Sequence, residues 1–445
     1  MTNTTRRLMR GVGLLCAAVL GTTACGGSGG DDSGGEVSAS DVRAALEKGG
    51  SITVWAWEPT LEQVAADFEE KYPKVDVELV NAGTGNDHYT ALQNAMSAGS
   101  GVPDVAQIEY FALGQFALTE SVHDLAAFGA DEFDGTFSPG PWNAVRASGG
   151  VHALPMDSGP MALFYNKDVF DEHGVEVPTT WDEYVDAARA LHEADPDVYI
   201  ANDTGDPGLA TSLIWQAGGR PYRTDGTDVT IDFTDEGTTA YTGTWQKLLD
   251  EDLLAPVTSW SDEWYQGLSD GTIATLAAGA WMPANFESGV PKGSGSWRVA
   301  PLPQWKEGAS DSAENGGSGL ALPTAGENRE LAYAFARYAT TGDGVRARVD
   351  AGAFPATTEE LESEEFLGTE FDYFGGQKAN EIFAESSANV SDGWSYLPYQ
   401  VYANSVFNDT VGKAYVSDEP LAEGLKAWQR SCVEYGREQG FTVNE

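Results

Sequence analysis

The chain has 445 residues, with 69 acidic against 25 basic side chains, a formal net charge of −44 at pH 7, 41% hydrophobic residues and 11% aromatic ones. A surface this acidic repels nucleic acid and anionic headgroups and favours a soluble monomer, so nucleic-acid partners are excluded and a monomeric state is expected. It also weighs against an anionic small-molecule ligand.

In chain order, Arg6, Arg7 and Arg10 precede an apolar run from Val12 to Leu20. That run suits the hydrophobic region of a secretory signal and is too short to span a bilayer. Thr22-Thr23-Ala24-Cys25 resembles the lipobox of bacterial lipoproteins, with Thr22 where Leu or Val is usual. The resemblance implies that residues 1–24 are removed and that Cys25 becomes the lipidated first residue, tying the chain to the outer face of the cell membrane. Arg6-Arg7 fits an ordinary positive leader better than a twin-arginine signal, because Met9 stands where an aromatic is usual; the export route stays open. Residues 25–50 are expected as a flexible tether, since their Gly/Ser-rich acidic start has too little apolar surface to fold. Gly26-Gly27-Ser28-Gly29-Gly30 matches the hydrolase pattern G-x-S-x-G only in letters, for it lacks the strand before and helix after that the pattern needs. With Cys16 removed and Cys25 lipidated, Cys432 alone remains and no internal disulfide can form. The chain beyond the tether exceeds the ~250–300 residues at which one core stops growing, so two lobes are expected.

Strands and helices then alternate, the pattern of α/β lobes. Ile52 to Trp57 reads as a buried strand, and Leu61 to Lys71 as an amphipathic helix through Leu61, Val64, Ala65 and Phe68. Val75 to Val80 is a second strand and Tyr89 to Ala98 a second helix. Met161 to Tyr165 is a strand, followed after a helical turn by a helix opening at Thr180, whose spacing to Glu183 is that of a capping box. Asp225-Gly226-Thr227-Asp228 reads as a hairpin turn, where calcium is a minor alternative because the EF-hand pattern is missing. Trp181, Trp215, Trp245 and Trp428 fall on helix-like segments and are expected in the core.

The stretch YNKD (Tyr165–Asp168), Gly174 and Pro178-Thr179-Thr180-Trp181-Asp182-Glu183 resembles a signature of the extracellular solute-binding proteins of ATP-driven sugar importers, the maltose-binding-like group. Further likenesses follow in family order: Gly101-Val102-Pro103-Asp104-Val105, Thr272 to Trp281 with Leu276 for the usual Met, and Trp297 to Trp305. Gly316 to Leu322 and Asn328 to Tyr338 complete the series. It spans Ile52 to about Leu361, and the C-terminal third matches only loosely.

The resemblance implies a two-lobed α/β fold of the type II periplasmic-binding-protein kind, with discontinuous lobes joined by three hinge crossings. These are expected at Ala153 to Asp157, near Val299 to Leu302 and near Tyr338 to Gly344. Residues 51–154 and 300–340 would form lobe 1, and 155–299 and 341–445 lobe 2. It implies a carbohydrate, with a neutral oligosaccharide expected, held between the lobes and delivered to ABC-transporter permease subunits, with no enzyme activity and no cofactor.

A sugar offers apolar C–H faces and a polar rim, so its pocket needs aromatic platforms with a few carboxylates and amides. Trp57 and Glu58 end the first strand at the carboxyl edge, where open α/β sheets place ligands, and Glu109 and Tyr110 end the third strand in the same sense. Asp157 lies beyond the first crossing, where the resembling receptors commonly place a polar residue on the solute, and could instead cap a turn. Trp281 occupies the position at which they often stack a sugar ring. Gly317 and Ser318 are candidates for close backbone approach or for a plain tight turn. Trp260 and Trp264, with Tyr265, form one aromatic cluster; Trp394 and Tyr396, with Tyr399, form another, and each is a candidate wall or lobe-edge packing. Catalytic signals are empty: acidic residues are too many to single out a pair. The five histidines (His88, His123, His152, His173, His192) have neither HExxH nor zinc spacing, so no metal site is expected. The alternatives are a secreted carbohydrate-active enzyme, and a receptor for another solute such as a peptide or polyamine.

Overall fold

The computed structural model describes residues 36–147 and 149–445. The signal segment, Cys25 and most of the tether lie outside the described residues. From Val37 onward the tether expectation gives way to structure: Val37 is buried with its N–H on Ala127 O at 2.8 Å, and Ala39–Lys48 is a helix (α1), opened by a Ser38/Asp41 capping box.

The principal strands are β1 (Gly50–Trp55), β2 (Val75–Val80), β3 (Val105–Glu109), β4 (Leu154–Pro155), β5 (Met161–Asn166), β6 (Thr275–Gly279), β7 (Trp297–Ala300) and β8 (Ser318–Ala321). Two open sheets result. The first has the order β2-β1-β3-β8-β4, parallel through β1, β2 and β3 and antiparallel where β8 joins β3 and β4. The second places β5 between β6 and β7, all antiparallel. This is the two-lobed type II architecture expected.

In the first lobe, α2 (Leu61–Lys71) buries Leu61, Val64, Ala65 and Phe68, the apolar stripe that the sequence spells out. The helices α3 (Gly85–Ala98), α4 (Tyr110–Leu118) and α5 (Pro139–Ala144) follow. In the second lobe, β5 has a core on each face: Met161 and Leu163 point into one cluster and Ala162 and Phe164 into the other. A strand covered on both sides has no polar face to offer, hence its unbroken apolar run. Helix α6 (Lys167–His173) leads to α7 (Trp181–Ala194), where Thr180 Oγ1 accepts from Glu183 N at 3.2 Å and Glu183 Oε2 accepts from Thr180 N at 3.2 Å, the capping box in full. Then come α8 (Pro207–Gln216), the hairpin Tyr222–Asp225 with Asp228–Ile231 at the expected turn, α9 (Glu236–Asp250), α10 (Asp262–Asp270) and α11 (Met282–Gly289). Trp181, Trp215, Trp245 and Trp428 are all buried.

The crossings differ from expectation in two of three places. The first runs through residues 156–160, between β4 of the first sheet and β5 of the second. The second is not near Val299 to Leu302 but at 314–318. Leu302 and Ala313 belong to the second lobe's core, and Trp305 packs on Trp181 at 5.4 Å, both indoles donating to Gln216 Oε1. Residues 300–313 therefore stay with the second lobe. The third crossing comes later than Tyr338 to Gly344, because α13 (Asp343–Asp350), directly after α12 (Arg329–Thr340), packs on α2 and α12 of the first lobe. Beyond it the chain passes Pro355, which bridges Asp157, and reaches α14 (Thr358–Leu361) and α15 (Glu364–Leu367).

Candidate functional site

The crossings lie side by side: Met156 N donates to Ser318 O at 2.9 Å, Asn315 N to Gly159 O at 2.8 Å, and Asp157 bridges Pro355. They make the floor of the cleft between the lobes. Above it the strand ends β1 and β3 bring in Trp57, Glu58, Glu109 and Tyr110. Gln107 ties these to the floor, its Oε1 accepting from Trp57 N and Glu58 N at 3.1 Å each, its Nε2 donating to Ser318 Oγ at 3.0 Å. Ser318 in turn donates its N–H to Asp157 Oδ1 at 2.5 Å and its hydroxyl to the same carboxylate at 3.1 Å. Tyr110 OH donates to Asp157 O at 2.6 Å. Arg348, on α13 and 1% exposed, donates from Nη1 to Met156 O at 2.5 Å and from Nε to Thr60 Oγ1 at 3.3 Å, while Thr60 Oγ1 donates to Glu58 Oε1 at 2.8 Å. Arg348 Nη2 is buried with no hydrogen-bond partner among the described residues.

Burial dominates the electrostatics here. It pushes the Asp157 carboxyl up to about 6, with Arg348 pulling down against it and Glu58 adding to the rise. Glu109, whose Oε2 accepts from Tyr89 OH at 2.9 Å, is pushed up to about 7 by burial. Glu314 is likewise raised to about 7 by burial, although Gly159 N at 2.5 Å and the Ser158 hydroxyl favour its charge. Carboxyls held near neutrality can accept or donate to a hydroxyl, which suits a polyol.

One wall of the cleft encloses a cavity of about 550 Å³ whose lining includes Tyr110, Asn143 and Arg146 from the first lobe and Trp215, Trp394 and Tyr396 from the second. Trp215 and Trp394 stack at 5.1 Å and 5°, and Tyr396 sets its ring on Trp394 at 5.8 Å and 85°. Trp215 Nε1 donates to Ser391 O at 2.6 Å, which fixes the pair. Nearer the floor, Trp281 Nε1 donates to Asn315 O at 2.6 Å, and Trp260 lies against Trp281 at 5.9 Å and 30°. Trp260 is 50% exposed and holds a left-handed backbone, φ 69°. A non-glycine residue there costs of order 1–3 kcal/mol and persists only where the surroundings hold it. Asp206, Asn315 and Ser259 line a narrow recess of about 50 Å³ beside these two indoles.

Of the residues singled out from sequence, Trp57, Glu58, Glu109, Tyr110 and Asp157 gather at the floor, and Trp281, Trp260, Trp394 and Tyr396 at the walls. Three have other work. Trp264 is 1% exposed with its indole N–H on Asn202 Oδ1 at 2.7 Å, so it supports Trp260 from within the core and presents no face. Ser318 spends its hydroxyl within the floor. Gly317, at φ 93°, is glycine because a Cβ would sit 2.5 Å from the Tyr110 ring. Gln107, Glu314, Asn315 and Arg348 were missed. Trp215 is core, as expected from its helix, and reaches the cavity only behind Trp394, which stacks on its ring. Gln107 and Arg348 sit inside regular elements, where only the partners brought by folding reveal them.

The sequence model of the bacterial extracellular solute-binding protein family matches residues 56–345. The chain belongs to that family. A binding protein associated with an ABC transporter of B. animalis subsp. lactis, solved with β-1,6-galactobiose, is 46% identical over 89% of this chain and 99% of its own, with a TM-score of 0.80. The arabinooligosaccharide-binding protein of Halalkalibacterium halodurans is 25% identical over 83% of this chain and 85% of its own. The lactose-binding protein of Rhizobium radiobacter is 24% identical over 85% and 91%. Membership places the chain among the extracellular receptors of importers, and the last two relatives are named for the sugars they bind. No helix among the described residues is long and apolar enough to cross a membrane.

Proposed function

We propose that this receptor binds a neutral β-linked disaccharide or short oligosaccharide of the galactobiose class, and passes it unchanged to the permease subunits of an ABC importer. The carrying observation is the 46% identity to a receptor solved with β-1,6-galactobiose, over 99% of that receptor's length. The cleft fits it: Trp394, backed by the buried Trp215, with Tyr396 and Trp281 offers apolar ring surface to sugar C–H faces. Glu58, Asp157 and Asn143 offer polar partners to hydroxyls. Cys25 would carry the lipid and residues 25–36 the tether, leaving a monomeric domain to reach the permease.

Isothermal titration calorimetry tests this with β-1,6-galactobiose, lactose, an arabinooligosaccharide and maltose, beside spermidine and a tripeptide. A micromolar constant for a β-galactoside, about −8 kcal/mol, with the sugar recovered intact by chromatography, is the expected result. Binding of spermidine or peptide alone would end the carbohydrate reading, and cleavage of the sugar would make the protein an enzyme. Labelled palmitate incorporated by the wild type and not by Cys25→Ala checks the anchor.

A further inference from the structure

A buried cation stands at the cleft floor. Arg348, on α13 and 1% exposed, donates from Nη1 to Met156 O at 2.5 Å and from Nε to Thr60 Oγ1 at 3.3 Å, and its buried Nη2 has no hydrogen-bond partner among the described residues. Both contacts lie one step from a candidate sugar acceptor. Met156 precedes Asp157, and Thr60 Oγ1 donates onward to Glu58 Oε1 at 2.8 Å. The same residue ties two crossings together: its own carbonyl accepts from Ala353 N at 3.0 Å, where the chain leaves α13 for the third crossing, while its side chain holds Met156 in the first. Asp157 is half-buried, and its oxygens keep lone pairs beyond those that the Ser318 N–H and hydroxyl take.

The charges around Asp157 are unequal. Glu58 after β1, Glu109 and Tyr110 where β3 meets α4, and Glu314 in the second crossing all face it, and Arg348 supplies the positive charge among them. Burying a guanidinium is costly unless its charge is answered, and an apolar side chain of similar volume packs as well or better. A buried donor left unmade adds to that cost. Charge, and not packing, is therefore the property this position uses.

Resting on the carbohydrate reading, we propose that Arg348 is a positioning residue of the sugar site, which holds the Asp157 segment through Met156 O and keeps Asp157 charged as a hydroxyl acceptor. Burial pushes the Asp157 carboxyl up to about 6, and Arg348 pulls against that rise. A carboxylate accepts a shorter and stronger bond from a hydroxyl than a neutral carboxyl does. Proton and sugar thus compete at Asp157, and Arg348 sets the pH at which the sugar wins.

The test is calorimetry of the protein with β-1,6-galactobiose from pH 5 to pH 9, on the wild type, Arg348→Met and Arg348→Lys. The wild-type constant should weaken as pH falls through about 6, where Asp157 takes its proton. In Arg348→Met that midpoint should move up by about one to three units, so that binding at pH 7 weakens about two- to tenfold and recovers toward pH 9. Arg348→Lys keeps the charge and loses the fork, so it should keep the wild-type midpoint with a weaker constant; it decides the matter alone if the Met variant does not fold. Glu109 and Glu314 titrate in the same range. Asp157→Asn is therefore the control, and on that background Arg348→Met should leave the remaining pH profile unmoved. A loss equal at every pH in Arg348→Met would reduce the residue to packing and overturn the proposal, as would a midpoint displaced upward in Arg348→Lys. The carbohydrate reading survives either result. If the wild type binds no sugar at any pH, that reading falls and this inference with it.

Discussion

The floor of the cleft and its aromatic walls are built in opposite ways. On the floor the polar groups are largely spent on one another: Gln107 on Trp57, Glu58 and Ser318, Ser318 on Asp157, Arg348 on Met156 and Thr60. On the walls Trp394 and Trp281 are half-buried and spend no more than an N–H, while Trp215 lies buried behind Trp394 as its support. The contrast assigns position and register to the floor and most of the ligand's apolar contact to the walls. Where the three crossings meet, a shift in one hydrogen bond moves a lobe; where an indole faces a cavity, its loss removes surface and little else.

That contrast breaks most sharply at Trp264, the aromatic that looks like a wall residue and is packed as core. Trp264→Ala should cost about 3–5 kcal/mol of stability through the cavity left behind, read as a large fall in melting temperature in sugar-free protein. Trp394→Ala, half-buried on the Trp215 ring, should lower the melting temperature less than Trp264→Ala does and weaken sugar binding by about 2–4 kcal/mol, as for an aromatic anchor. If the two variants exchange these signatures, the assignment of wall and core is wrong.

The floor answers next. Gly317→Ala puts a side chain at φ 93° and a Cβ 2.5 Å from Tyr110, and should cost about 1–3 kcal/mol in chemical denaturation while weakening binding through displacement of Tyr110. An unchanged unfolding curve would mean that the backbone relaxes freely there. The smallest effect expected is that of pH. Glu109, Asp157 and Glu314 have folded-state values raised above their ordinary ones, to about 7, 6 and 7. The folded state therefore holds more protons than the unfolded one between those values and the ordinary carboxyl range, and its stability falls as pH rises through that window. The melting temperature should increase from pH 7.5 to pH 5.5, and Glu314→Gln should reduce that rise. A rise of full size in that variant would remove Glu314 from the account.

Much of the fold was legible before any coordinate. Helix Leu61–Lys71 and strand Val75–Val80 fall where periodicity puts them, and the Thr180/Glu183 box opens α7 as spaced. These features are local, written by neighbours within a few residues. The hinge was legible only in outline. Residues 300–313 carry the proline pattern of a crossing, yet Trp305 and Gln304 bind them to Trp181 and Gln216, well over a hundred and nearly ninety residues away. Helix α13 was assigned to the wrong lobe for the same reason, since its partners on α2 come from the far end of the chain.

The site divides along the same line. Sequence by itself determined the family, the two-lobed class and which strand ends point into the cleft, because strand period and the turn after each strand are short-range matters. It singled out Trp57, Glu58, Tyr110, Asp157 and Trp281, which the structure brings to the cleft. Only the tertiary structure decided which aromatics keep a free face, since Trp264 and Trp260 are neighbours in the chain and opposites in exposure. It alone brought Arg348 to Met156, because burial and enclosure arise from elements distant in sequence packing around a residue.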